Sequence, residues 1–352
     1  MKTHLLLVVN PGSTSTKMAL FEDASQLRAE TLLHDARTLQ RFRTVWDQFE
    51  FRLHHVREWT HANAETLAAV VSIGGLLRPI PGGTYKVNER MLSDARSNLQ
   101  GEHASNLGCA MAHAIAREFG CEAFVVDPVS VDELEPFARY SGHPLIQRSS
   151  LSHALNLHAA ARHAARELNI PLSESSLVIA HLGGGISVAP IRGGRIIDIN
   201  DASSDGPFSP ERTGGLPLQQ FITLCFSGSY TEQEVRALVR RRGGLIAYLG
   251  TNSALEVEER IKRGDETARE VYQAMAYQIA KEIGAMAVVL EGKVQAIVLT
   301  GGLATSTMLT GWIKERVGFI APIVIYPGQD EMNALAAGTL AVLRGETAPV
   351  EY

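Results

Sequence analysis

Cysteine is scarce in this sequence, with three in 352 residues, and Cys109, Cys121 and Cys225 stand far apart. They form no CxxC pair and no even-numbered framework, so they read as buried or incidental thiols of a reducing cytoplasm. A surplus of positive charge is also lacking. The formal charge of −5 gives no basic face and argues against nucleic acid as a partner. No stretch approaches the roughly 18 apolar residues that span a bilayer. The opening MKTHLLLVVNPGS has a short apolar run that stops at Asn10-Pro11-Gly12, too soon for a signal peptide with its cleavage site. A cytoplasmic protein without a membrane partner is expected. What is abundant is apolar side chain, 45% of residues against 20% charged, the balance of a globular protein. The length suits two domains of ordinary size.

The pattern along the chain repeats itself. Leu5–Val9 is an apolar run that ends in the turn Gly12-Ser13-Thr14-Ser15-Thr16, and a second strand follows over Lys17–Phe21. The same grammar returns as Leu177–His181, Gly183-Gly184-Gly185 and Ile186–Ala189, with a third strand over Arg195–Ile199. VVSIGG (70–75) is paralleled by IVLTGG (297–302), and FVVDP (124–128) by IVIYP (323–327). Three pairings in one order indicate an internal duplication. Helical spacing covers Gln40–Thr60, Asp265–Glu291 and Asp330–Arg344. The boundary between halves is expected within Ser141–Ser152. Matched glycine turns suggest a cleft, because such turns present backbone N–H groups to phosphate oxygens at close range.

Asn10-Pro11-Gly12-Ser13-Thr14-Ser15-Thr16-Lys17 contains glycine and lysine but not the G-x-x-x-x-G-K-[ST] spacing, so a P-loop is excluded. The stretch resembles the NxGSxSxK phosphate motif of the acetate and butyrate kinase family. HLGGGISVA (181–189) is similar to that family's second phosphate motif, and LTGGLA (299–304) to its adenosine motif. GEHASNLG (101–108), HALN (153–156), GPFSPERTG (206–214), AYLGTN (247–252) and YPGQDEM (326–332) resemble the butyrate kinase branch more than the acetate kinase branch. The resemblance covers essentially the whole chain.

It implies an α/β fold of two duplicated actin-like (ribonuclease H-like) domains with a nucleotide cleft between them. The expected domains are 1–147, completed by a C-terminal helix at about 331–352, and 148–330. It also implies ATP and Mg²⁺ as cofactors and a homo-oligomer, dimer or larger, with the Asp265–Glu291 helix as an interface element. By resemblance, Asn10, Ser13, Ser15 and Lys17 line the phosphate side, and Asn10 and Glu331 serve the metal. Arg212 is the catalytic arginine, whose planar guanidinium can bridge a carboxylate and a transferring phosphoryl group. His153 stabilises the pentacoordinate phosphoryl group, and Asp127 orients Arg212 or the metal ligands. His181 and Gly183–Gly185 contact nucleotide phosphates, while Gly301, Gly302 and Leu303 flank adenine and ribose. His103 lies by the acyl site. Plainer duties are open to several of these: Arg212 suits a surface ion pair, His153 a solvated helix start, Glu331 a helix N-terminus, and His103 a cap or turn.

The chain departs from the family pattern at Ile73, where the butyrate kinase branch usually carries Arg before Gly-Gly, and Arg78 is the nearby cation that could reach in. The loop Asn200–Phe208 is one residue short. The expected reaction is reversible transfer of the ATP γ-phosphoryl group to butyrate or a related short or branched-chain acid, giving acyl phosphate and ADP. The rival reading is a weakened nucleotide-binding paralogue with a regulatory or structural role.

Overall fold

The computed structural model describes residues 3–328 and 330–352; Gln329 of the YPGQDEM stretch lies outside them. Two sheets form from apolar runs interrupted by Gly-rich turns. The first contains β1 (Leu5–Pro11), β2 (Ser15–Glu22), β3 (Ser25–Leu33), β4 (Ala69–Ile73), β5 (Thr84–Lys86) and β6 (Glu122–Val126), in the order β3-β2-β1-β4-β6-β5. The second contains β7 (Ser176–Leu182), β8 (Ile186–Arg192), β9 (Arg195–Ile196), β10 (Ala296–Gly301) and β11 (Ile323–Pro327), in the order β11-β10-β7-β8-β9. Read from its other edge, the second sheet repeats the first strand for strand, save for β5.

The pairing senses repeat too. β1 is antiparallel to β2 and parallel to β4, as β7 is antiparallel to β8 and parallel to β10. The duplication expected from the sequence is therefore a duplication of topology. Tight turns suffice for the antiparallel pairs, whereas the parallel ones need long crossovers, which the helices provide. β1 and β7 are central strands, and Leu6–Val9 and Leu177–Ala180 are fully buried, which accounts for their unbroken apolar runs.

Each sheet has its own core, and the chain divides into two compact units, Met1–Asp132 with Asp330–Tyr352, and Glu133–Gln329. In the first, Leu107, Met111 and Ile115 of the Leu107–Phe119 helix pack against Leu7, Val9 and Val70. The C-terminal helix Glu331–Leu343 lies on the same sheet. A Cβ on its Gly338 would come within 2.6 Å of Val126, and Thr84 Oγ1 donates to the Gly338 carbonyl at 3.0 Å. In the second unit, Tyr272, Met275, Ile279 and Ile283 of the Glu266–Val289 helix pack on Val178, Ile297 and Leu299. Its composition suggests packing on more than one side, but the buried residues from Ala268 to Ala287 recur every three or four positions on one wide stripe, and Tyr277, Lys281 and Val288 on the opposite face are exposed.

Three sequence expectations shift. The helix expected from Gln40 begins only at Phe49 and runs to Asn63, preceded by the 3-10 turn Trp46–Gln48. β9 ends at Ile196: Ile197 N–H still donates in register to the Pro190 carbonyl, but Pro190 has no N–H to return the bond. The division falls at Asp132 rather than within 141–152, since Glu133 and Glu135 bond into the second unit. The Glu133 carboxylate accepts from Ile196 N–H, and Glu135 N–H donates to the Ile197 carbonyl.

Candidate active site

In the first unit the candidate phosphate residues occupy the β1–β2 hairpin. Asn10 and Lys17 are directly opposed across the two strands, so both side chains stand on one face of the sheet. On that face Asn10 Nδ2 donates to Glu331 Oε2 at 2.7 Å. Residues 321 positions apart, each assigned to a metal from the sequence, are thus in contact. Glu331 is the first residue of the C-terminal helix, so its dipole duty and a ligand duty are compatible. Lys17 has no ion-pair partner among the described residues. Ser13 and Thr14 are exposed at the tip of the turn.

Ile73 ends β4. Since Ser72 pairs with Val9, strand alternation puts Ile73 on the face of Asn10. The departure from the family pattern lies beside the candidate group itself. Arg78 is not its substitute. Its guanidinium is paired with Asp94 through Nε (2.7 Å) and NH2, and lies 5.6 Å from the centre of the Tyr352 ring. Tyr352 OH also donates to Asp94 at 2.8 Å. Arg78 is spent on docking the C-terminus.

Two other sequence candidates have local duties. Asp127, with φ of +39°, accepts from Gly83 N–H through Oδ1 at 2.7 Å and returns its own N–H to the Gly83 carbonyl at 2.9 Å. It pins the approach to β5. His103 caps the short 3-10 helix Ala104–Asn106, with Nδ1 accepting from Ser105 N–H at 3.2 Å.

The second unit gathers its candidates more tightly. His181 on β7 and His153 at the start of the Ala154–Glu167 helix stack with ring centres 4.3 Å apart. His153 Nδ1 lies 3.0 Å from Ser187 Oγ of β8. Arg212 is held by a turn in which Ser209 N–H donates to the Arg212 carbonyl, Arg212 N–H to Ser209 Oγ, and Ser209 Oγ to the Gly184 carbonyl at 2.5 Å. Ser209 therefore ties the Arg212 turn to the glycine turn. The guanidinium lies against Gly185, where a Cβ would come 2.4 Å from NH1. Only glycine leaves that room. NH1 also donates to the Ala202 carbonyl at 2.7 Å, on a loop wound round Asp201, which accepts from Ser203 and Ser204.

Gly301, with φ of +94°, closes β10 against β7; a Cβ there would meet the Leu182 carbonyl at 2.4 Å. Gly302 and Leu303 continue into the 3-10 turn Gly302–Thr305. The adenosine candidates thus follow Thr300, the register partner of His181.

Burial, and then the charge of Arg212, pull the His153 imidazole down to about 4. Burial, and then His153, hold His181 well below the ordinary histidine range. Both rings are neutral at pH 7, so His153 is a hydrogen-bonding group rather than a cation. Both ring nitrogens of His181 are buried with no partner among the described residues, a costly arrangement for polar atoms and one that a phosphate-bearing ligand would relieve. Arg212 is lowered by burial and by Arg240, against Glu211 and Asp201, but an arginine keeps its proton in proteins.

These shifts carry a sign. For His153, and for His34, which burial followed by the charges of Arg52 and His55 also takes to about 4, the unfolded chain with its pKa of 6.5 binds more protons between those values. Stability therefore rises with pH from about 4 to 6.5 and levels off above. Urea unfolding across pH 4–8 is expected to show this slope, and His153→Gln to lessen it. An unchanged slope would mean that His153 titrates normally.

Among the described residues no group of three or more His, Cys, Asp or Glu side chains could hold a metal ion, and no helix is long and apolar enough to cross a membrane. The oxygens of Asn10 and Glu331 nevertheless suit Mg²⁺, which takes one or two protein ligands and keeps water and phosphate for the rest.

Sequence reasoning missed Arg52, Ser187 and Ser209. Ser209 and Ser187 lie inside recognised motifs, but nothing in their spacing marks them as tethers.

Residues 147–316 match the acetokinase family. Over 351 residues, 99% of both chains, the sequence is 49% identical to butyrate kinase 2 of Clostridium acetobutylicum. Over 350 residues, again 99% of both, it is 50% identical to probable butyrate kinase 2 of Caldanaerobacter subterraneus subsp. tengcongensis. The fold superposes on the crystal structure of Porphyromonas gingivalis acetate kinase with a TM-score of 0.78, at 17% identity over 97% of this chain and 100% of that one. At that identity the match speaks for the fold alone.

Proposed function

The chain belongs to the acetokinase family and is an ATP-dependent carboxylate kinase, and we propose that its substrate is butyrate or a related short or branched-chain acid. The observation that carries this reading is the packing of Arg212 over Gly185 beside neutral His153, which sets one rigid cation and one neutral donor together. A carboxylate is already an ionised nucleophile and needs no strong base. What the reaction needs is in-line alignment and cover for the negative charge of the transferring phosphoryl group.

In this reading Arg212 is aimed by the Ala202 carbonyl and the Ser209 turn at the equatorial phosphoryl oxygens. His153, with Nδ1 engaged by Ser187, offers Nε2–H as a donor without adding charge. His181 and Gly183–Gly185 hold nucleotide phosphates, and Gly301–Leu303 the adenosine. In the first unit, Lys17 and the Ser13–Ser15 turn bind phosphate oxygens. Asn10 and Glu331 would hold Mg²⁺, which when bound neutralises phosphate charge. The weakened-paralogue reading has Ile73 in its favour, but near-half identity along the full length to a butyrate kinase, together with the Arg212–His153 group, weighs against it.

The acid preference is tested by kcat/KM for acetate, propionate, butyrate, isobutyrate and valerate with MgATP, trapping product as the hydroxamate. The C3–C5 acids are expected to exceed acetate by about tenfold or more, since each methylene in an apolar pocket is worth about 1–3 kcal/mol. A preference for acetate would contradict the assignment of substrate.

A further inference from the structure

A buried cation lies beneath the turn that joins β1 to β2. Arg52, on the Phe49–Asn63 helix, is fully shielded from solvent. Its NH1 donates to the carbonyls of Gly12 (2.8 Å) and Ser15 (2.9 Å) and to Thr16 Oγ1 (3.2 Å), and its NH2 to the carbonyl of Ser13 (3.1 Å). Nε and NH2 both donate to Gln48 Oε1, at 3.0 and 2.9 Å. Among the described residues no carboxylate pairs with it. Burial takes the guanidinium down to about 10, so it stays charged at neutral pH. His34, 2.8 Å from Thr16 Oγ1, is the titratable ring beside it and is neutral there.

Burying an unpaired cation is costly, and the turn has a closing bond of its own, Gly12 N–H to the Ser15 carbonyl at 2.8 Å. Arg52 is not needed to reverse the chain. Its effect is on direction. In a trans peptide the carbonyl and the N–H point opposite ways, and no peptide bond among the described residues is cis. With the Gly12 and Ser13 carbonyls drawn inward onto Arg52, the N–H groups of Ser13 and Thr14 must face outward, at residues that are exposed. Successive N–H groups aimed one way form an anion-binding concavity.

We propose that Arg52 is a positioning residue for phosphoryl transfer, turning the Ser13 and Thr14 amides toward phosphate and holding a fixed positive charge behind them. This rests on the reading that the hairpin turn binds phosphate oxygens.

The test compares wild type with Arg52→Gln, Arg52→Lys and Gln48→Leu for melting temperature, kcat and MgADP affinity. Arg52→Gln is expected to lower kcat about 30-fold, as for loss of preorganised donors, with MgADP affinity held within about twofold. Arg52→Lys keeps the charge but cannot fork onto three carbonyls, and is expected to lose about fivefold. Wild-type kcat in folded Arg52 variants whose only change is a lower melting temperature would make the residue merely structural and overturn the proposal. If neither Arg52 variant folds, Gln48→Leu decides, with about threefold lower kcat expected and a wild-type rate overturning the idea. A wild type that makes no acyl phosphate would instead fail the functional reading. Inorganic phosphate then serves as probe: it is expected to shift the Ser13 and Thr14 amide resonances in wild type but not in Arg52→Gln (or Gln48→Leu if that variant is unfolded), and no shift in wild type overturns the proposal.

Discussion

Arg212→Ala is expected to lower kcat for acyl phosphate formation about 10³-fold, the range found when an arginine that stabilises transferring phosphoryl charge is removed. This corresponds to about 4 kcal/mol of transition-state stabilisation. The structure explains why one residue carries so much. The guanidinium is mostly buried, aimed by the Ala202 carbonyl, and seated in the room that Gly185 leaves. His153 beside it is neutral and cannot take over the charge. Affinity for MgADP should change little, because the bonds that tie the Arg212 turn to Gly184 use the Arg212 backbone and the Ser209 hydroxyl, which the substitution keeps. Steady-state kinetics with calorimetric MgADP binding checks both points. A loss of tenfold or less would make Arg212 a bystander.

Much of this was legible in the sequence because it is local. A strand, a glycine turn and a return strand are read from residues that are neighbours in the chain, and their recurrence in order announced two sheets of one topology. The contact of Asn10 with Glu331 was foreseen only as a shared role by resemblance. Nothing in the spacing says that the C-terminal helix returns to the first sheet, since that depends on Gly338 fitting against Val126. The start of the Phe49–Asn63 helix was misplaced because Phe42, Val45 and Trp46 continue the apolar spacing through a segment that the backbone takes as a turn.

Arg52 is the instructive miss. It lies on the buried stripe of its helix with Leu53, Val56 and Thr60, and a charge on an apolar stripe is a signal that its partners lie elsewhere in the fold. The partners are backbone carbonyls, which a sequence does not display. Arg78 is the converse. Its nearness to Ile73 in the chain suggested a stand-in cation, while the structure commits it to Asp94 and Tyr352, at the other end of the sequence.

The central claim is that phosphoryl transfer goes to a carboxylate and not to water. It is tested most directly by following ADP, acyl phosphate and orthophosphate together, with MgATP present and butyrate either saturating or absent. With butyrate, ADP and acyl phosphate are expected to appear one for one. Without it, ADP release is expected to fall at least about 10²-fold, on the reading that the site aligns a carboxylate and not water for in-line attack. Equal ADP release in both conditions, balanced by orthophosphate alone, would contradict the account and make the protein an ATPase.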